Sequence, residues 1–120
     1  MSDARAEDKN SGPLIDLAVE SWRFSKLFLK VLSKLDAGED KRYVSQYAYF
    51  SDRLRDHLAQ AGLKLVNLEG QPYEAGMAIS ALNLDEFAPG DALIVTQMLD
   101  PVIMGEAGIV RPGSALLGKA

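Results

Sequence analysis

Apolar positions along the chain obey two different periods, and the switch near Gly62 divides it. From Leu14 to Leu35 the spacing is helical. Phe24, Leu27, Phe28, Val31 and Leu35 fall at i, i+3, i+4, i+7 and i+11, one continuous stripe. Leu17, Trp22, Leu29 and Leu32 widen it beyond what one partner helix covers, so this helix requires two neighbours. Pro13 suits the helix start, where a missing N–H costs little, and Asp36-Ala37-Gly38 ends the helix with a glycine cap. A second helix opens at Glu39-Asp40, whose carboxylates suit the positive N-terminal end. Tyr43, Tyr47, Phe50, Leu54, His57 and Ala61 then form a heptad-like seam, with Leu58 beside it, until Gly62 closes the helix. The short link Ala37–Lys41 dictates antiparallel packing as a helical hairpin. One hairpin cannot cover both stripes, which predicts a homodimer whose paired hairpins form a four-helix bundle. The expected dimer interface draws on Phe24, Phe28, Val31, Leu35, Tyr47, Phe50 and Leu54.

Beyond Gly62 the period shortens. Leu63, Leu65 and Leu68 alternate loosely with polar residues, and Glu69-Gly70-Gln71-Pro72 makes a turn. Ala75, Met77, Ile79 and Ala81 alternate with Gly76, Ala78 and Ser80, a strand pattern with small residues on one side. After the turn pair Pro89-Gly90, Leu93, Ile94 and Val95 form the most hydrophobic β-type run, read as a buried strand on which this half is built. Asp100-Pro101 turns the chain again. Val102–Met104 and Ile109–Val110 flank a hairpin tip at Gly105-Glu106-Ala107-Gly108, and Ser114–Leu117 is the last apolar piece. Short strands between glycine and proline signals predict a compact small β-domain or partly open barrel. The expected fold class is therefore α+β: a helical hairpin over residues 13–62 and a β-domain over residues 63–120. Residues 1–12, polar and without apolar periodicity, are expected to form a disordered tail.

Composition narrows the function classes. The 120 residues are 48% apolar and 25% charged, an ordinary globular balance with room for two small lobes. A formal charge of −4 argues against nucleic-acid binding, since phosphate contact wants a basic face. Without cysteine there is no disulfide framework, thiolate chemistry or Cys-ligated metal. No apolar run approaches the ~18 residues of a membrane span, and the start shows no secretory h-region. The expected location is the cytoplasm.

The catalytic inventory is thin. The single histidine, His57, lies on the helical seam and is read as packed or half-exposed there rather than as a base or metal ligand. Asp85 and Glu86 are adjacent, so their carboxylates point apart and serve turn polarity. Gly105-x-x-Gly108 lacks the lysine and following helix of a phosphate loop. The aromatic group Trp22, Phe24, Phe28, Tyr43, Tyr47, Tyr49 and Phe50 has the spacing of a core or dimer seam, with Tyr49 out of register and exposed. Met98 and Met104 flank the Leu99-Asp100-Pro101 corner, where methionine serves equally as core or as partner contact. No enzyme, cofactor or metal site is expected.

In the order helix, helix, β-domain, the residues from Trp22 to Leu117 resemble GrpE-type nucleotide exchange factors of DnaK-type chaperones. Phe24 followed by Leu29-Lys30-Val31-Leu32-Ser33-Lys34-Leu35-Asp36 is similar to the family's Phe…Leu-Pro-Val-x-Asp-x-Leu-Asp/Glu run, with Lys30 and Ser33 as departures. Gly62-Leu63-Lys64-Leu65-Val66 resembles its step from bundle helix to first strand. Pro72 through Ile79 falls where the family has Asp-Pro-x-x-His-Glu-Ala-Val, with Gly76-Met77 in place of His-Glu and Ala78 retained. Ala88-Pro89-Gly90 and Ala92-Leu93-Ile94-Val95-Thr96-Gln97 are similar to the strand ending in the family's glutamine, with Met98-Leu99-Asp100 in place of Lys-Gly-Tyr. Arg111-Pro112-Gly113-Ser114-Ala115-Leu116 stands for the Arg-Pro-Ala-x-Val-x-Val ending.

The resemblance implies a shortened GrpE-like co-chaperone of the stress response, without room for the family's long N-terminal helix. It would be a homodimer whose β-domain, a wing, binds a DnaK-type ATPase domain and promotes nucleotide release. By position the partner contacts would be Gln71, Pro72, Thr96, Gln97, Met98 and Arg111, of which Gln97 and Arg111 match the family in type. Loss of His-Glu and Lys-Gly-Tyr favours the alternative, a GrpE-derived adaptor or scaffold dimer recognising another protein. A third reading is a ligand- or peptide-binding β-domain whose helices serve only to dimerise.

Overall fold

The computed structural model describes residues 2–36, 38 and 40–120, with side chains described from residue 12 onward. Two helices precede six strands, an α+β chain with an N-terminal helical hairpin and a small β-domain. Its contacts separate it into two units, Met1–Gly62 and Leu63–Ala120.

In the first unit, α1 (Ser2–Leu32) and α2 (Asp40–Gln60) pack on one another. Helix α1 starts well before Pro13, which lies inside it, so described residues expected as a disordered tail are helical. Ala4, Arg5, Ala6, Glu7 and Lys9 are good helix formers, and one proline removes a single ladder bond without ending the helix here. The helix also stops three residues short of Leu35. The Lys34 N–H donates to the Val31 carbonyl at 3.0 Å and Leu35 N–H to Leu32 at 3.1 Å, i→i−3 bonds that tighten the last turn. The Ser33 hydroxyl donates to the Lys30 carbonyl at 2.6 Å, a further alternative to helix continuation. Residues 37 and 39, in the expected helix stop and start, lie outside the described residues. Helix α2 stops at Gln60, and Gly62 just beyond it has φ 73°, the left-handed cap geometry open to glycine, with its N–H donating to Ala59 at 3.0 Å.

The second unit holds two three-stranded sheets. The strands are β1 (Lys64–Val66), β2 (Ile79–Ala81), β3 (Leu93–Asp100), β4 (Val102–Gly105), β5 (Gly108–Arg111) and β6 (Gly113–Lys119). Sheet order is β1-β4-β5 in one and β2-β6-β3 in the other. Every pairing is antiparallel except β2 with β6. The Leu93–Val95 run begins the longest strand, yet the middle of its sheet is β6, and β3 is an edge. The strand expected over Ala75–Ala81 shrinks to Ile79–Ala81. Gly76 has φ 94° and the Glu74 N–H turns onto Met77 Sδ at 3.1 Å, so alternation of small residues there marks a turn. Gly105 faces Gly108 across a two-residue tip at Glu106-Ala107, and Gly108 supplies the positive φ of 128° that the turn needs.

Strands β3–β4 and β5–β6 together make one antiparallel ribbon bent where it passes from sheet to sheet. The bend lies at Pro101 and Pro112, residues without the N–H that a continuing ladder uses. Pro101 is fully buried beside Met98, Val102 and Ile103 in the core. Asp100 pairs with Ser114 in register, and the Ser114 hydroxyl donates to Asp100 Oδ2 at 3.0 Å.

Gly113 is the tight point of this bend. A Cβ there would stand 2.6 Å from the Asp100 carbonyl oxygen, 2.8 Å from Met98 Cε and 3.1 Å from the Pro101 carbonyl carbon. Gly113→Ala is therefore expected to destabilise the protein by ~1–3 kcal/mol or more, since two of the three neighbours are backbone. Gly118→Ala, whose Cβ would meet a single side-chain atom, Thr96 Cγ2 at 2.8 Å, and no backbone, is expected to cost less. Urea unfolding followed by far-ultraviolet circular dichroism reads the difference; equal midpoints for the two variants contradict it.

Candidate functional site

Helix α1 carries two apolar faces. Ile15, Ala18, Val19, Ser25 and Leu32 are buried at helical spacing. A second stripe on the same helix stays open: Leu17, Phe24, Leu27 and Val31 are exposed, Phe24 at 66%. On α2 only Leu58 is buried, Tyr47 and Leu54 are half-buried, and Tyr43, Val44 and Phe50 are exposed. The two open stripes meet in a groove of about 200 Å³ lined by Phe24, Ser25, Phe28, Gln46, Tyr47 and Phe50. The expected interface set therefore spans half-buried residues (Phe28, Leu35, Tyr47, Leu54) and exposed ones (Phe24, Val31, Phe50). Leu35 follows the helix rather than belonging to it.

Charged side chains occupy other parts of the hairpin. Glu20–Arg23 and Asp52–Arg55 are exposed i,i+3 ion pairs of 2.9 and 3.0 Å, which contribute little to stability. The Arg53 guanidinium lies 5.8 Å from the Tyr49 ring centroid, so that exposed aromatic belongs to the charged surface and not to the apolar groove. His57 is exposed.

In the β-unit the outer edge of β3 is covered by the Gly70–Tyr73 segment. Gly70 N–H donates to Val95 at 2.8 Å, Val95 N–H to Gln71 at 2.9 Å, and Tyr73 N–H to Leu93 at 2.9 Å, while Pro72 forms a bridge with Ile94. This pairing brings Gln71 and Pro72 beside the strand that carries Thr96 and Gln97, all four being exposed. A register shift between Val95 and Gln97 bulges the strand at Thr96, whose hydroxyl donates to the Leu116 carbonyl at 3.0 Å.

The structure corrects one of the expected partner contacts and separates another from the rest. Met98 is 1% exposed: its side chain fills the core under the bend, and its N–H donates to Glu69 Oε2 at 2.8 Å. Arg111 ends β5, opposite Ile103 in the other sheet, so it does not share the edge that carries Gln97. Proline at the bend sends the ribbon into a new sheet between the two residues, a change that alternation alone does not reveal. Sequence reasoning also passed over Leu82 and Leu84, exposed at 58% and 46% on the segment after β2. Two leucines beside Asp85-Glu86 in a short polar stretch were the available signal.

Among the described residues no group of three or more His, Cys, Asp or Glu side chains stands close enough to hold a metal ion. No described helix is long and apolar enough to cross a membrane. No protein-family model, curated protein or solved structure significantly matches this chain.

The groove generates a direct test of self-association. Replacing exposed Phe24 and Phe50 by Ser removes little from a lone hairpin, where surface substitutions fall within about 0.5 kcal/mol. If a second copy covers that face, the double variant sediments as a monomer at concentrations where the unaltered chain is dimeric, with its helical circular dichroism retained. An unaltered chain that is monomeric at micromolar concentration contradicts a dimer built on this face.

Proposed function

We propose that the protein is a GrpE-like co-chaperone, a homodimer whose β-unit binds a DnaK-type ATPase domain and promotes nucleotide release. The observation that carries this reading is the division of labour in the chain. A helical hairpin leaves an apolar face open for a second copy, and a separate β-unit follows it with exposed residues clustered at Gln71, Pro72, Thr96 and Gln97. Helix, helix and β-domain in that order are what the resemblance requires.

Mechanically the activity needs no reacting group on this chain. A wing that binds the open ATPase domain more tightly than the closed one shifts the population toward the open state, and nucleotide leaves faster. Linkage makes the effect reciprocal: bound nucleotide weakens the wing's binding by the same factor. Dimerisation places two wings in one molecule, and the hairpin contributes assembly.

Gln97, exposed on the bulged part of β3, and Gln71, on the segment paired to that strand, are the side chains assigned to the contact. A hot-spot residue truncated at a protein interface costs ~2 kcal/mol or more, about thirtyfold in affinity. Gln71→Ala with Gln97→Ala is expected to weaken the complex by roughly that factor and to slow stimulated release at subsaturating concentration. The dimer and its circular dichroism persist. Stopped-flow release of a fluorescent ATP analogue from the ATPase domain of a DnaK-type chaperone of the same cell reads it. Binding by the unaltered protein without acceleration moves the assignment to the adaptor, which keeps the dimer and wing but not the exchange activity. Absence of binding overturns both chaperone readings.

A further inference from the structure

The solvent side of sheet β2-β6-β3 is built as a platform. Along β6, Gly113, Ala115 and Leu117 are buried, whereas Ser114, Leu116 and Gly118 between them are half-open. The parallel register Ser80↔Ser114 puts Ser80 on the open side, and strand alternation carries Leu82 to that side too. On the other flank of β6, a Cβ at Gly118 would lie 2.8 Å from Thr96 Cγ2, which places Thr96 on the same face. Leu82, Leu116 and Thr96 thus run across three neighbouring strands at one level. With strands about 4.8 Å apart, Leu82 and Thr96 stand roughly 10 Å from one another, within a single protein contact.

The segment leaving β2 is fixed in place although its leucines bury little. Leu82 N–H donates to the Ala115 carbonyl at 3.0 Å. The Asn83 carboxamide then replaces a strand residue. Its Nδ2 donates to the Leu117 carbonyl and its Oδ1 accepts from the Leu117 N–H, both at 2.9 Å. A 3-10 turn, Leu84–Glu86, follows, with Phe87 N–H donating to Leu84 at 3.2 Å. Preorganisation of this kind lowers the ordering cost of a contact. It presents Leu82 and Leu84 beside the exposed carboxylates of Asp85 and Glu86.

Charge indicates the kind of partner. Residues from Leu63 onward hold seven Asp or Glu against three Lys or Arg, so the formal charge of −4 resides entirely in the β-unit and the helical unit is neutral. We infer that the open face of β2-β6-β3, extended by the Leu82–Glu86 segment, docks onto an apolar depression rimmed by Lys and Arg on the ATPase domain. The inference rests on the chaperone reading above and adds a second edge to it: Gln97 marks one flank of the platform and Leu82–Glu86 the other.

Calorimetric titration of the DnaK-type ATPase domain with the full chain, at 50 and 300 mM salt, tests it. Leu82→Ser with Leu84→Ser is expected to weaken binding at least tenfold. Asp85→Lys with Glu86→Lys is expected to weaken it at low salt and to flatten its salt dependence, because the screened steering charge is gone. Ile109→Ser, at a residue 56% exposed on β5 in the other sheet, serves as the control and leaves affinity unchanged. Thermal unfolding of each variant identifies any that fail to fold, and Leu82→Gln with Leu84→Gln then replaces the serine pair. If the unaltered chain binds and the leucine variants bind equally well, this docking face is wrong while the chaperone reading stands. An unaltered chain that does not bind removes that reading and this docking face with it.

Discussion

The β-unit depends on the bend where one two-stranded ribbon changes sheets. Neither Pro101 nor Pro112 can donate to a ladder, and they interrupt the ribbon at matching places, so both strands leave one sheet together and enter the other. Every other pairing in the unit is added to that ribbon: β1 joins β4, β2 joins β6, and Gly70–Tyr73 covers β3. β1 and β2 are three residues each, too short to persist alone. Their order is borrowed from the ribbon. The crowding of Gly113 against the Asp100 backbone is thus a constraint on both sheets at once.

The hairpin poses the opposite problem, too much apolar surface for too few neighbours. α1 buries one stripe and leaves another, from Leu17 to Val31, in the open, its Phe24 sharing a groove with Phe50 and Tyr47 of α2. Scattered exposed leucines are ordinary on a protein surface; a stripe that converges with a second helix on an apolar groove is not. On the proposed reading a second copy covers it. Phe24, Leu27, Phe28 and Val31 are spaced more regularly than the residues the hairpin buries, which is why this stripe, rather than the Ile15–Leu32 face, dominates the period of the sequence.

What could be read from the sequence follows from how local each signal is. Helix pairing, the hairpin tip at Gly105–Gly108 and the α+β class all come from periodicity and turn chemistry within short windows. The bend did not, because Pro101 and Pro112 act through pairing partners that are distant in the chain. For that reason alternation leaves Met98 open between core and contact although it is core, and the sequence does not show that Arg111 and Gln97 lie in different sheets. Asn83 was hidden for a related reason: an asparagine in a turn is common, and its two bonds to Leu117 span thirty-four residues. The extension of α1 through Pro13 shows local propensity outweighing a single breaker.

Two surfaces governed by different physics occupy the two units. The hairpin's open face is apolar on a unit without net charge, so association through it would draw on buried area and respond weakly to salt. The β-unit carries the whole negative charge, and its platform combines two anchored leucines with two carboxylates, a pattern whose encounter with a basic partner is steered by charge. On the proposed reading this arrangement lets assembly remain constant while docking is tuned. On that reading a change at Leu82 or Asp85 would alter recognition alone, because Leu63–Ala120 has its own core in Val95, Met98, Ile103 and Ala115. The adaptor alternative draws on the same independence: retargeting needs new residues on the platform alone, with the ribbon beneath it unchanged.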